Sequence, residues 1–257
     1  MASAALISYD GADYSPVGEL EGLDGNASQW ESAWEGTNAV VSGGLAYTNG
    51  TVWLMAQGNE FLIPGTAGEA YLKSYRTFQT NGFESVTTNI GGVTYFGRGS
   101  AILWLSFLVR NDSMTNGQAG GVNLFQDSTE VAFIGRRWAK GVWGASLLGG
   151  SGDSTVDATT YDTAMIVAQI QTRPDSQPTW DSWIKLFINP SLESFDPGSP
   201  SAQAWSTGGQ QLRFNRIALN GGVTMTVDEL RLGTTAADVM PYLPEPATGA
   251  AAVLLAL

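Results

Sequence analysis

The chain has 257 residues, 24 acidic and 12 basic, for a net charge of -12, and it contains neither His nor Cys. Those absences exclude imidazole and thiolate metal sites, Ser-His-Asp triads, Cys nucleophiles and disulfides. The acidic balance argues against nucleic acid, whose phosphates require Lys and Arg, and against an anionic membrane surface.

At the N-terminus, Met1-Ala2-Ser3-Ala4-Ala5-Leu6 carries an Ala-x-Ala pattern without the basic and apolar regions of a signal peptide. Two readings stay open for residues 1–8, a signal-peptide remnant with its lead-in or a chance run of small residues. From there, Asn-Gly and Gly-Gly pairs punctuate the chain, at Asn49-Gly50, Gly91-Gly92, Gly120-Gly121, Gly149-Gly150 and Asn220-Gly221 among others. Such pairs tolerate the positive φ that tight hairpins require.

Residues 67–78 (AGEAYLKSYRTF) suit a turn or two of helix. Residues 102–110 are nearly continuously apolar and predict a strand buried on both faces. Residues 130–137 and 141–148 predict two strands joined by the hairpin-like link Trp138-Ala139-Lys140. The segment GSGDSTVDATTYD reads as an acidic loop holding Asp153, Asp157 and Asp162. Residues 164–171 and 182–189 predict strands; in the second, Ile184, Leu186 and Ile188 face one way and Trp183, Lys185 and Phe187 the other. Residues 212–219 and 223–232 predict a hairpin around Asn220-Gly221-Gly222, and residues 234–239 one short helical turn. No helix is long enough to cross over between parallel strands, so the expected fold is all-β, an antiparallel two-sheet sandwich or barrel in one domain over residues 9–240.

Residues 241–257 differ from the rest. Pro244-Glu245-Pro246 precedes eleven uncharged residues, too few to span a bilayer. This tail resembles a truncated PEP-CTERM sorting signal, the Pro-Glu-Pro, membrane segment and basic cluster handled by exosortase in Gram-negative bacteria. The body carries a matching resemblance. Tyr9-Asp10-Gly11-Ala12-Asp13-Tyr14, Trp30-Glu31-Ser32-Ala33-Trp34, Trp104-Leu105-Ser106-Phe107, Leu186-Phe187-Ile188-Asn189-Pro190, Phe214-Asn215-Arg216-Ile217 and Asp228-Glu229-Leu230-Arg231-Leu232-Gly233 are similar to segments of LamG-like, concanavalin A-like jelly-roll proteins with such tails. The family usually has Phe where Ala12 stands. The resemblance implies a jelly-roll sandwich on a longer precursor, transiently membrane-anchored and displayed at the cell surface or in exopolymer.

The residues offer three kinds of chemistry. Glycosidases need two carboxylates about 5–5.5 Å or about 6.5–9.5 Å apart; the sequence has no same-face pair, and Asp228 and Glu229, being adjacent, are expected on opposite faces of their strand. Asp153, Asp157 and Asp162 could supply oxygens to a structural calcium, against the plainer reading of a solvated acidic loop; no other cofactor is implied. Trp138, Trp180 and Trp205 in expected loops, with Trp183, are candidates to stack on sugar rings, whereas Trp30, Trp34 and Trp104 suit the core. Arg136, Arg137 and Lys140 read as a surface ion-pair patch. The leading expectation is a non-catalytic surface or matrix protein with weak carbohydrate contacts and possible self-association through strand edges. A dedicated lectin-like module and a polysaccharide-degrading enzyme are the alternatives.

Overall fold

The computed structural model describes residues 5–240, apart from 26–28, 50–51, 57, 66–71, 114–117, 175, 177–180 and 208. The chain opens with β1 (Leu6–Asp10), β2 (Gly18–Glu19), β3 (Glu35–Gly36), β4 (Ala39–Ser42), β5 (Ala46–Asn49), β6 (Val52–Met55) and β7 (Asn59–Ile63). It continues through β8 (Leu72–Thr77), β9 (Thr87–Ile90), β10 (Val93–Phe96), β11 (Ile102–Asn111), β12 (Gly120–Gln126), β13 (Thr129–Arg136) and β14 (Val142–Leu147). It closes with β15 (Gly150–Asp157), β16 (Thr163–Gln171), β17 (Trp183–Ile188), β18 (Ala202–Trp205), β19 (Arg216–Gly221), β20 (Met225–Gly233) and the single-turn helix α1 (Ala236–Val239).

Two antiparallel sheets face each other in the jelly-roll manner. One has nine strands in the order β18-β17-β16-β11-β20-β7-β4-β2, with β1 also paired to β20; the other runs β15-β14-β13-β12-β19-β8-β3. Alternate residues supply the core between them: Leu105, Phe107, Ile166 and Ile184 from the first sheet, Leu124, Ile134, Trp143 and Leu219 from the second. Trp30 and Trp34 are buried against the same core. A second apolar cluster lies on the outer side of the nine-stranded sheet. There the β5–β6 hairpin, α1 and Phe195 cover Trp104, Leu108, Met165, Val167 and Phe187, which is why β11 is apolar on both faces.

Both sheets end on one side in two-residue strands, β2 and β3. On the other side β15 lies against β18. A Cβ on Gly150 would collide with the Trp205 carbonyl oxygen and one on Gly152 with that of Gln203, so glycine is what lets these edges close together.

Several local expectations change. The 67–78 segment forms β8 where it is described, because pairing with β19 outweighs helix propensity. The acidic loop is largely β15, which places Asp153 and Asp157 in a strand. Gly120-Gly121 starts β12 and is no turn. Asn220-Gly221 ends β19, and the chain then crosses to β20 in the opposite sheet, so no hairpin forms there. Arg136 is buried, at 2% exposure, and lies outside any surface patch. β1 begins at Leu6 and places Ile7 in the core, so the sandwich includes residues set aside as lead-in. The Pro244-Glu245-Pro246 motif lies outside the described residues.

Candidate functional site

The alternation of β17 places Ile184 and Leu186 in the core and turns Trp183 and Lys185 outward; β18 does the same with Ala204 inward and Gln203 and Trp205 outward. Trp183 and Trp205 are direct cross-strand partners, and Lys185 is the partner of Gln203. Directly opposed side chains on one sheet face sit about 5 Å apart at Cβ. The row continues inward through Gln171, opposite Trp183, and Ile102, opposite Gln171; Gln169 stands beside Lys185 in the next row. The Lys185 Nζ lies 4.8 Å from the centroid of the Trp183 ring, which props the indole with a cation–π contact.

This end of the outer face is open. Its neighbouring half is closed by packing of Phe195 edge-on to Phe187 and Trp104, whereas Trp205 is 49% exposed and Ile102 40% exposed. Two indoles on directly opposed residues of adjacent strands, bordered by carboxamides, give an apolar surface with hydrogen-bonding groups at its rim. That combination suits the faces and hydroxyls of a sugar chain.

The other sequence-stated candidates do not join this row. Trp138 stands in the β13–β14 link of the opposite sheet and is 53% exposed. Trp180 lies outside the described residues. Sequence reasoning passed over Trp53, the most exposed tryptophan among the described residues at 62%, on the solvent side of the β5–β6 hairpin opposite Thr48. Alternation of Trp53 and Met55 with the buried Leu54 was its available signal.

Of the acidic candidates, Asp153 accepts a hydrogen bond from Arg137 Nε at 2.9 Å, Asp157 is paired across from Val142, and Asp162 is exposed in the turn before β16. Among the described residues, no three acidic side chains come together in a group able to hold a metal ion.

Asp228 and Glu229 correct the expectation of opposite faces. β20 pairs with β7 through Met225–Val227 and with β1 through Leu230–Gly233, and its register against β11 shifts between Ser106 and Leu108. Glu229 takes a φ of 53° at this bulge, so one extra residue turns both carboxylates to the outer face. Asp228 accepts from the backbone N–H groups of Leu45 (3.1 Å) and Glu229 (2.8 Å). Glu229 accepts from the Tyr9 hydroxyl at 2.9 Å and from Arg231 at 2.6 Å. Burial pushes the Asp228 carboxyl up to about 8, with the charges of Glu229 and Glu60 adding to the rise and the two N–H groups opposing it. The space beside Glu229 is only about 10 Å³. No sugar ring reaches this pair; it secures the hairpin to the sheet.

No protein-family profile and no curated protein matches the chain. Among solved structures it is similar to an alginate lyase Aly36B mutant in complex with alginate tetrasaccharide (TM-score 0.41, 11% identity, 90% of this chain and 97% of that one). It is similar as well to the CBM2 module of the evolved Dit of Lactobacillus casei BL23 phage J-1 (0.41, 10%, 90% and 96%). A third is the Emp46p carbohydrate recognition domain in its metal-free form (0.33, 10%, 88% and 97%). Likeness at this level leaves the functional argument to the residues themselves.

Proposed function

We propose that this chain is a non-catalytic domain, exported to the cell surface or exopolymer matrix, that contacts polysaccharide through Trp183 and Trp205. The observation that carries the reading is the direct opposition of these two outward rings on the open end of the nine-stranded sheet. Gln171, Lys185 and Gln203 supply donors and acceptors around them.

Export and display rest on the resemblance to LamG-like jelly-roll proteins with PEP-CTERM tails, whose sorting would involve an exosortase-type partner. A structural or adhesive role follows from placing a glycan-contacting sandwich in a polymer matrix. The non-catalytic part is supported by the sealed state of the one bulge-aligned carboxylate pair, Asp228 and Glu229. The short β2 and β3 edges favour a monomer over edge-to-edge assembly.

Affinity electrophoresis in soluble polysaccharides, with a reducing-sugar assay on the same material, tests the reading. The expected result is retardation without sugar release, weakened about tenfold or more by Trp205→Ala, in the range of an interface tryptophan. Release of reducing sugar, or unchanged retardation in the folded variant, would contradict it.

A further inference from the structure

The outer face of the nine-stranded sheet carries a cleft at the end away from the tryptophan pair. Trp183 is opposite Gln171 at one end of β16, whereas the cleft lies over Thr163 at the other. Residues 163 to 171 span about 26 Å at about 3.3 Å per residue. Between them Phe187, opposite Val167, packs with Phe195 and Trp104 and separates the two ends. The alternation that turns Met165 and Val167 onto this face brings Thr163 to it as well. β5 stands over it, and Asn189 closes the side at the end of β17, leaving a volume of about 470 Å³.

Its walls are tied down from both sides. Asn189 leaves β17 with a φ of 52°; its Oδ1 accepts the Met165 N–H at 3.0 Å and its carbonyl accepts Asn49 Nδ2 at 2.8 Å. The Tyr47 hydroxyl donates to the Pro190 carbonyl at 3.1 Å. On the other wall, the buried Asn111 holds the turn before β16 twice. Its Nδ2 donates to the Ala158 carbonyl at 3.0 Å, and its carbonyl accepts the Tyr161 N–H at 2.8 Å. That second bond keeps Tyr161 at a φ of 68°, a left-handed conformation unfavourable for a bulky side chain. Packing does not compensate it, since Tyr161 is 59% exposed. Strain kept at an exposed ring beside a cleft is characteristic of ligand sites.

The groups that this turn presents to the cleft are unengaged. Among the described residues, the Tyr161 hydroxyl, the Asp162 carboxylate and the Thr163 hydroxyl take part in no hydrogen bond or ion pair. Asp162 is the one charged side chain among the described residues that line the cleft. Arg110, directly opposite Thr163, turns its guanidinium the other way, to Asp112, Glu60 and Thr226. An anionic ligand therefore meets a carboxylate and no free cation, on a chain of net charge -12. Calcium, which takes about six to eight oxygens, finds a single carboxylate. An organic ammonium gains a charge-assisted hydrogen bond from Asp162 and a cation–π contact from the Tyr161 ring. The rest of the lining, with Thr48, Thr163 and the carboxamides of Asn49 and Asn189, suits hydroxyl groups. An ammonium on a hydroxylated ring answers both halves of the cleft.

We propose that this cleft binds an amino sugar with a free amine, its ammonium held by Asp162 and Tyr161 and its hydroxyls by Thr163 and the flanking amides. The site stands on the turn at Tyr161–Thr163 and does not depend on the Trp183–Trp205 reading.

The test is isothermal titration calorimetry on the full chain at about 0.15 M salt, where attraction to the net charge is screened beyond about 8 Å. The probes are the glucosamine tetramer, its N-acetylated form, cellotetraose and tetralysine, and thermal unfolding is measured for every variant. The glucosamine tetramer should bind about tenfold or more tightly than the acetylated tetramer and cellotetraose. Asp162→Asn should weaken it by about tenfold or more and Tyr161→Gly by about fivefold, while Trp183→Ala/Trp205→Ala leaves it unchanged. Tyr161→Gly should also unfold at a Tm equal to or above that of the parent, because glycine adopts this φ without strain. No binding of the glucosamine tetramer, equal binding of its acetylated form, or binding unmoved by both substitutions in the turn would overturn the site. Tetralysine bound as tightly, with the same dependence on Asp162, would overturn the sugar in favour of a basic protein segment. Loss of glucosamine binding in the tryptophan variant would place that ligand at the other end of the sheet and overturn the cleft. A fall of several degrees in the Tm of Tyr161→Gly would make Tyr161 a packing residue and overturn its role in binding.

Discussion

Replacing Asp228 by Asn converts a buried titratable group into a neutral one of the same shape, and the effect on stability should change sign with pH. The folded-state value of about 8 stands against an ordinary carboxyl value of 3.8. The gap is roughly four pH units, each about 1.4 kcal/mol, so holding the ionised carboxylate in the fold costs up to about 6 kcal/mol. Because the folded group holds its proton more tightly than the unfolded one, its contribution is complete below pH 3.8 and is lost as pH rises through about 8. Asn keeps one acceptor but turns an N–H toward either Leu45 or Glu229, both of which donate to Asp228 in the parent. That mismatch costs about 1 kcal/mol at any pH. Urea unfolding followed by tryptophan fluorescence should find Asp228→Asn less stable than the parent by about 1 kcal/mol near pH 3 and about equal to it near pH 4.5. At pH 9 it should be more stable, by about 2–4 kcal/mol. Other raised carboxyls, such as Glu60, titrate in both proteins, so the difference between the curves isolates Asp228. Two curves displaced by a constant amount from pH 5 to 9 would refute the reasoning.

Three further outcomes follow from the same structure. Arg76 is fully buried and donates to Asp10, the Tyr14 hydroxyl (2.8 Å) and the Gly25 carbonyl (2.7 Å). Arg76→Met leaves Asp10 buried without its cation and should cost about 3–5 kcal/mol by denaturant unfolding, a loss largely restored by pairing it with Asp10→Asn. Adding EDTA should leave Tm unchanged, since Asp153 is engaged by Arg137 and, among the described residues, no three acidic side chains form a group able to hold a metal ion; a fall of several degrees would point to a structural cation. Trp138→Ala should leave polysaccharide retardation and Tm as in the parent, because this exposed ring stands in the β13–β14 link of the seven-stranded sheet, away from the Trp183–Trp205 pair.

The sequence carried the sandwich well where burial imposes a period. The alternation of Ile184, Leu186 and Ile188 against Trp183 and Lys185 stands as read, and the run at 102–110 is β11, buried on both sides because a hairpin and α1 cover its outer face. Hairpin links of the opposite sheet were also legible, as at Trp138-Ala139-Lys140 between β13 and β14. What local pattern could not reveal was partnership. The helix-like segment around Lys73 becomes a strand because β19 offers it a ladder and Asp10 a counter-charge for Arg76. Asn220-Gly221 reads as a turn in isolation but pairs with β12 and β8. The bulge that brings Asp228 and Glu229 to one face leaves no mark in two adjacent acidic letters. The tryptophan site was half visible: Trp183 and Trp205 were both nominated, but their direct opposition required β17 and β18 to be neighbours.

The most direct test of the central claim is the dissociation constant for a soluble neutral polysaccharide of the parent and of Trp183→Ala/Trp205→Ala, measured by affinity electrophoresis alongside thermal unfolding. The account predicts that the parent is retarded, and that the folded double variant binds about tenfold or more weakly. Equal affinity in both proteins, at equal Tm, would contradict it.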